Sequence, residues 1–102
     1  MLRMKTNNKP TKNQSELLKI LGADYSAKRI DLELCLYRKL NNNYDFKISG
    51  TSRKGRAMTV YVWDIRAGEN WNARIIETVR GLKDAGQLKQ ALDELVCKYN
   101  EQ

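Results

Sequence analysis

A loop rich in cations is the stretch of this sequence whose residue types point most directly to chemistry. It runs from Gly50 to Arg56 and holds two glycines, two hydroxyl side chains and three cations. Glycine lets a backbone approach a ligand closely, hydroxyl groups bond phosphate oxygens, and arginine can contact a phosphate or a guanine edge with two N–H groups. These chemistries predict contact with the phosphate backbone or a groove of a nucleic acid. The residues concerned are Thr51, Ser52, Arg53, Lys54 and Arg56.

The two stretches that flank this loop have the composition of strands. Tyr44–Ser49 alternates apolar and polar side chains, and Met58–Asp64 is rich in β-branched and aromatic residues. Glycine and hydroxyl residues between them are ordinary turn chemistry. The sequence therefore predicts an antiparallel hairpin. A charged hairpin tip that only keeps the protein soluble is the alternative to a binding loop.

The segment 27–41 fits two structures, because its apolar residues satisfy both a strand alternation and a helical spacing. Its length, its helix-forming residues and Ser26 as a possible N-cap favour a helix. On that helix, Arg29, Arg38 and Lys39 would extend the cationic surface. If the segment is a strand instead, the sheet becomes a three-stranded meander.

A helix followed by a basic two-stranded hairpin resembles the layout of a winged-helix domain. The resemblance covers Ser26–Asp64, with the segment 27–41 in the place of the recognition helix and the loop Gly50–Arg56 in that of the wing. It implies DNA binding through those two elements. Since only one helix is predicted before Ser26, the full helix-turn-helix is missing and the likeness is one of architecture.

The rest of the chain has helical signals. Thr11 and Gln14 have the spacing of a capping box, which predicts a helix at about residues 12–21. Apolar residues at helical spacing predict two further amphipathic helices, at 70–81 and 85–100. Asp84, with Gln87 three residues later, can open the second of them.

The length of 102 residues is enough for one domain with one modest core. We expect a flexible basic tail over residues 1–10 and a single α+β domain over residues 11–102. In that fold, an antiparallel hairpin or a small three-stranded sheet packs against amphipathic helices, and a winged-helix-like layout is one version of it.

Several classes of function lack the residues they need. The chain has no histidine, which removes the commonest general base and transition-metal ligand. Cys35 and Cys97 stand far apart without CxxC spacing, as expected of thiols in a reducing compartment. Asp64 ends a hydrophobic strand, where a metal-dependent nuclease often holds a carboxylate, but a solvent-facing side chain is the favoured interpretation. We expect no enzyme, no metal and no cofactor.

The compartment follows from what the sequence lacks. No apolar run approaches the roughly 20 residues of a membrane span, and no signal-peptide pattern opens the chain. We therefore expect a cytoplasmic protein without a membrane partner.

The net charge of +7 is unevenly distributed. Residues 1–13 hold four cations and no acid, and residues 50–66 hold four cations and one acid, whereas the remaining stretches are nearly balanced. Such asymmetry bears on partners and not on fold. It favours non-enzymatic nucleic-acid binding, with DNA expected before RNA.

Two further features complete the sequence hypothesis. Four aromatic residues could stack on bases, with Tyr61 and Trp63 as the best candidates because they fall on the outer face of the second strand. The four are Tyr44, Tyr61, Trp63 and Trp71.

The alternative function is a protein–protein module that uses the nearly charge-neutral helices of residues 70–100. Such a module could be an adaptor, an inhibitor or a homodimer.

Overall fold

The protein is described by a computed structural model, which covers residues 9–67 and 73–100. Within these residues the chain forms five strands in one sheet and two helices. The elements are α1 (Lys12–Leu21), β1 (Ser26–Ile30), β2 (Glu33–Lys39), β3 (Tyr44–Ser49), β4 (Met58–Asp64), β5 (Arg74–Leu82) and α2 (Ala85–Asn100). The strands form an antiparallel meander in the order of the sequence. Most of the predicted tail, residues 1–8, lies outside the described residues.

The predicted hairpin is confirmed as β3 and β4. Phe46 faces Val62 and Ile48 faces Val60 across the pair. All four side chains are fully buried, as expected when the apolar positions of two alternating strands share one face.

The helix favoured for residues 27–41 is wrong, because this segment forms β1 and β2. A two-residue turn, Asp31-Leu32, divides it, and both turn residues have positive φ angles, 53° and 69°. Two-residue hairpin turns require such angles and usually use asparagine, aspartate or glycine to reach them. Leucine in the second position gives no turn signal, so the segment looks like one uninterrupted element. The strand alternative was correct in type, although the sheet has five strands and not three.

The helix predicted at 70–81 is also wrong, since Arg74–Leu82 forms β5, and residues 70–72 lie outside the described residues. Ile75, Ile76, Thr78 and Val79 are β-branched and suit a strand. Two irregularities in the β4–β5 pairing interrupt the alternation of side chains along this strand. Because of such a β-bulge, the sequence does not show the regular apolar–polar alternation that predicts a strand.

The winged-helix layout is not confirmed. The segment placed at the recognition helix is two strands, and the described residues hold two helices, α1 and α2. The supported fold class is coarser: an α+β domain with a five-stranded antiparallel sheet and two helices.

Both helices pack on the same face of the sheet. Leu17 of α1 and Leu88, Leu92 and Leu95 of α2 join one buried cluster with the inward side chains of β2, β3 and β4. The inward strand residues are Leu36, Tyr44, Phe46, Ile48, Met58, Val60 and Val62. The apolar stripe of α2 is therefore part of the core. It is not available to the partner that the alternative function requires.

The start of α2 is capped by two side chains. Asp84 Oδ1 accepts from the backbone N–H of Gln87 at 2.8 Å, and Gln87 Oε1 accepts from the backbone N–H of Lys83 at 2.8 Å. This arrangement confirms the predicted opening of the last helix. Neither helix in the described part of the chain is long and apolar enough to cross a membrane.

Candidate nucleic-acid interface

The N-terminus of α1 has the predicted capping box. The backbone N–H of Gln14 donates to Thr11 Oγ1 at 3.1 Å, and Gln14 Oε1 accepts from the backbone N–H of Thr11 at 3.0 Å. The Thr11 hydroxyl also donates to the Ser52 carbonyl at 2.9 Å. One residue thus both starts the helix and holds the cationic loop.

Gln14 and Asn13 fasten the loop between β3 and β4. Gln14 is fully buried, and its Nε2 donates to Thr51 Oγ1 at 3.1 Å and to the Leu34 carbonyl at 3.0 Å. Asn13 Nδ2 donates to the Thr51 carbonyl at 2.8 Å. Because these bonds are partly or fully shielded from water, the base of the loop is held in one position.

Thr51 and Ser52 therefore have a supporting position in this structure. Thr51 is fully buried and accepts from Gln14, whereas Ser52 is exposed and its Oγ lies 3.4 Å from Gln14 Nε2. The sequence pattern shows two hydroxyl groups beside cations, but only the tertiary structure shows that the first of them faces inward.

The opening of the loop depends on Gly50. Its φ angle is +80°, and a Cβ at this position would lie 2.6 Å from the backbone oxygen of Ala57. The Glu33 carboxylate accepts from Ser49 Oγ at 3.1 Å and from the Gly50 N–H at 3.3 Å, so β2 also braces the loop.

The tip of the loop is exposed and positively charged. The side chains of Arg53, Lys54 and Arg56 make no hydrogen bond or ion pair with another residue in the ranges 9–67 and 73–100. Lys12 lies between Thr11 and Asn13, which both bond the loop, and Lys83 follows Leu82, which pairs with Met58 at the loop exit. We call Lys12, Arg53, Lys54, Arg56 and Lys83 the cationic end.

Two of the other predicted cations lie elsewhere. Arg38 is at the opposite end of the sheet, where its Nη2 is 3.7 Å from Asp24 Oδ2 and its guanidinium lies 5.2 Å from the centre of the Tyr25 ring. Lys39 pairs in register with Asp45 at the start of β3. Their partners on β3, Phe46 and Asp45, lie four and five residues before Gly50, so about 13–17 Å of strand at 3.3 Å per residue separates these cations from the loop.

Arg29 belongs to the edge strand β1. Its Nη1 donates to the Leu32 carbonyl at 3.2 Å, across the β1–β2 turn. The cationic helix face predicted for Arg29, Arg38 and Lys39 does not exist, because the three residues lie on two strands.

Asp64, the candidate acid of the sequence analysis, forms an ion pair. Its Oδ2 lies 2.6 Å from Arg66 Nη2, and the hydrogen bonds from Arg66 lower the pKa of the carboxyl to about 2. A carboxyl group that stays ionised down to this pH is poorly matched to proton transfer near neutrality. In the ranges the structure covers, no three metal-binding side chains come together.

The aromatic candidates separate into two environments. Tyr44 is buried, and its ring centre lies 4.8 Å from that of Tyr99 in the core. Tyr61 and Trp63 are half-buried on the sheet face away from the helices, as predicted, and Trp71 lies outside the described residues. Tyr37 lies on that same face, and the sequence analysis missed it because it placed this residue on a helix.

No family model, curated protein or solved structure matches this chain.

Proposed function

We propose that this protein binds nucleic acid without catalysing a reaction, through Arg53, Lys54 and Arg56 of the cationic end. One observation carries the proposal: three exposed cations that make no ion pair within residues 9–67 and 73–100 stand on a loop whose base is held by hydrogen bonds partly or fully shielded from water. A loop that serves only solubility needs no such anchoring, whereas a binding loop that is already ordered loses less entropy when its ligand arrives.

The chemistry of the loop fits a phosphate backbone. Lysine and arginine neutralise phosphates and release counterions, which gives affinity that does not depend on sequence. Lys12 and Lys83 would add to this field from either side. Thr51 and Ser52 support the loop in this proposal, while Arg29, Arg38 and Lys39 lie outside the cationic end. DNA is the first ligand to test. We further propose that the protein is cytoplasmic.

The test compares two variants of equal charge. In the first, Arg53, Lys54 and Arg56 are replaced by alanine. In the control, three exposed cations outside the cationic end, Lys19, Arg74 and Lys89, are replaced by alanine. Binding to labelled duplex and single-stranded DNA and to duplex RNA is followed by fluorescence anisotropy between 50 and 300 mM salt.

We expect the loop variant to bind more weakly and to lose about 2–3 units from the slope of log affinity against log salt, since each neutralised phosphate contributes about 0.9 for duplex DNA. The control variant should keep most of the slope of the parent. Equal slopes in the two variants would mean that the net charge alone attracts nucleic acid, and the loop would lose its assigned role.

A protein–protein module remains the second candidate function, and one observation places its interaction surface on β5. Ile75 and Ile76 are 47% and 44% exposed on β5, which is an edge strand of the sheet. Edge strands with exposed apolar side chains can accept a strand from a partner or from a second copy. If this candidate is correct, we expect the protein to associate with an affinity that changes little with salt, and Ile76→Lys to abolish the association. Light scattering after size exclusion measures both.

A further inference from the structure

The face of the sheet that the helices leave open combines aromatic rings and cations. On this face the β2–β3–β4 register places Lys47 between Tyr37 and Tyr61, and Trp63 beside Asp45. Lys28 of β1 extends the row, with its Nζ 4.1 Å from the centre of the Tyr37 ring. Among residues 9–67 and 73–100, both helices belong to the opposite layer.

A depression of about 680 Å³ lies on this open face. Its lining includes Lys28, Tyr37, Asp45, Lys47, Trp63 and Ile65. The volume falls within the range of small-molecule sites, of order 300–1,000 Å³, so it accommodates a nucleobase with its sugar and phosphate.

The charges in the depression are largely balanced. The Asp45 carboxylate accepts from the Tyr37 hydroxyl at 2.8 Å, and Asp31 lies 3.8 Å from the Lys47 ammonium group. The Lys47 side chain is only 12% exposed, which fixes its position between the rings. A face with rings and matched charges is unlike the uniformly cationic surface that tracks duplex phosphates. It suits the flat faces of bases, whose stacking on aromatic side chains is worth about 1–3 kcal/mol per base.

The turn between β1 and β2 links the depression to the loop between β3 and β4. Asp31 lines the depression and belongs to the turn between β1 and β2. Glu33, directly after this turn, accepts from Gly50 at the start of the cationic loop. A nucleic-acid strand that contacts Arg53 and Arg56 can therefore cross the turn and reach the open face. Only an unpaired strand offers free base faces there, because the bases of a duplex are stacked on one another.

We infer that the open sheet face stacks unpaired bases on Trp63, with Lys28, which lies over the Tyr37 ring, beside the backbone, so that the ligand of this protein is single-stranded nucleic acid. The inference rests on the proposed function, because it names the form of nucleic acid that the cationic end would hold. The occupant is a strand and not a free nucleotide, since the depression and the loop contribute to the same binding event.

The experiment reads the fluorescence of Trp63 alone. The chain has two tryptophans, so Trp71→Phe leaves Trp63 as the only reporter. The Trp71→Phe variant is titrated at low salt with a 12-nucleotide oligothymidylate, with a 12-base-pair duplex and with thymidine monophosphate. We expect strong quenching and the tightest binding with the single strand, weaker binding of the duplex, and no saturable binding of the mononucleotide at the same concentrations.

Substitutions then separate stacking from charge. In the parent, Trp63→Leu should weaken single-strand binding by about tenfold or more and leave duplex binding within twofold, whereas Trp63→Phe should keep most of the affinity because it keeps a ring. Lys28→Ala should weaken single-strand binding more than Lys19→Ala, which removes an exposed cation from α1. Circular dichroism checks that each variant is folded, and the quenching of Trp63 by the single strand in the Trp71→Phe protein decides the question if Trp63→Leu does not fold.

The outcomes distinguish the two proposals. Absence of binding to every nucleic acid at low salt overturns both. Duplex binding that needs Arg53, Lys54 and Arg56, with no quenching and no effect at Trp63, overturns this inference and leaves the proposed function intact. Saturable binding of the mononucleotide as tight as that of the strand assigns the depression to a small ligand, which also overturns it.

Discussion

Residues of the same type have different tasks in this molecule, and their partners decide which. Arg38 lies against Asp24 and Tyr25, and Arg66 lies against Asp64. Arg53 and Arg56 have no partner of this kind among the residues that the structure covers. An arginine held by a carboxylate supports the fold locally, whereas an exposed one without a carboxylate keeps its donors for an external anion.

The two cysteines give a prediction at the same scale. Cys35 is fully buried, donates its thiol to the Lys28 carbonyl at 3.3 Å, and has a pKa that burial raises to about 11. Cys97 is exposed on α2. At pH 8 we expect a thiol reagent to modify one cysteine of the folded protein rapidly and the second only after unfolding. Thiolate is the reactive form, and about one Cys35 in a thousand would be ionised at that pH.

The matched variants assign the two reactions. Cys97→Ser should abolish the fast reaction, and Cys35→Ser should leave it unchanged.

The Cys35 thiol ionises near its ordinary pKa of 9.0 in the unfolded chain and only near 11 in the folded protein. The contribution of Cys35 to stability is therefore present below pH 9 and decreases as the pH rises from 9 to 11. A fast reaction that survives Cys97→Ser would place Cys35 in contact with solvent.

At the scale of elements, the loop between β3 and β4 owes its shape to its first residue. Gly50 has a positive φ, and any Cβ there meets the backbone oxygen of Ala57. Gly55, in the same loop, also has a positive φ of 90°, but no atom lies within 4 Å of the place where its Cβ would be. The two glycines therefore separate the cost of the backbone angle from the cost of a collision.

We predict that Gly50→Ala destabilises the fold by roughly 2–4 kcal/mol and Gly55→Ala by about 1 kcal/mol, measured by urea denaturation. Alanine in the left-handed region costs about 1–2 kcal/mol, and the clash at Gly50 adds to it. Gly50→Ala should also speed amide exchange at Thr51 and Ser52. Equal effects of the two variants would show that the start of the loop rearranges freely.

At the scale of the whole molecule, the fold gathers like charges at one end. The caps of both helices, the β1–β2 turn and the β3–β4 loop meet there. Repulsion among Lys12, Arg53, Lys54, Arg56 and Lys83 opposes folding, which an external polyanion would relieve. A cluster that costs stability is easier to explain by binding than by support of the fold.

Salt should therefore stabilise this protein. We predict that raising the salt concentration from about 10 mM to 0.5 M increases the melting temperature of the parent by a few degrees, because the Debye length falls from about 30 Å to well below 10 Å. The variant with alanine at Arg53, Lys54 and Arg56 should be at least as stable as the parent at low salt and should respond less to salt. The Lys19, Arg74 and Lys89 control should respond like the parent. A loop variant that melts well below the parent would mean that these cations support the fold.

The sequence by itself determined the features that depend on near neighbours. The capping spacings of Thr11 with Gln14 and of Asp84 with Gln87, the hairpin of β3 and β4, and the exposed cations of its loop all follow from local chemistry. These interactions join residues a few positions apart, or two strands linked by a short loop, so no distant partner is needed to predict them.

The tertiary structure alone decided the segments with two possible periods. Residues 27–41 became strands because β2 pairs with the outer edge of β3 and β1 pairs with β2, and Arg74–Leu82 became a strand because it pairs with the outer edge of β4. A strand on an edge satisfies its backbone hydrogen bonds. The same pairing turned Tyr37, Lys28 and Lys47 to one face, buried Thr51 against Gln14, and moved Arg38 away from the loop. Each of these outcomes depends on contacts between residues distant in the chain, which local propensity does not encode.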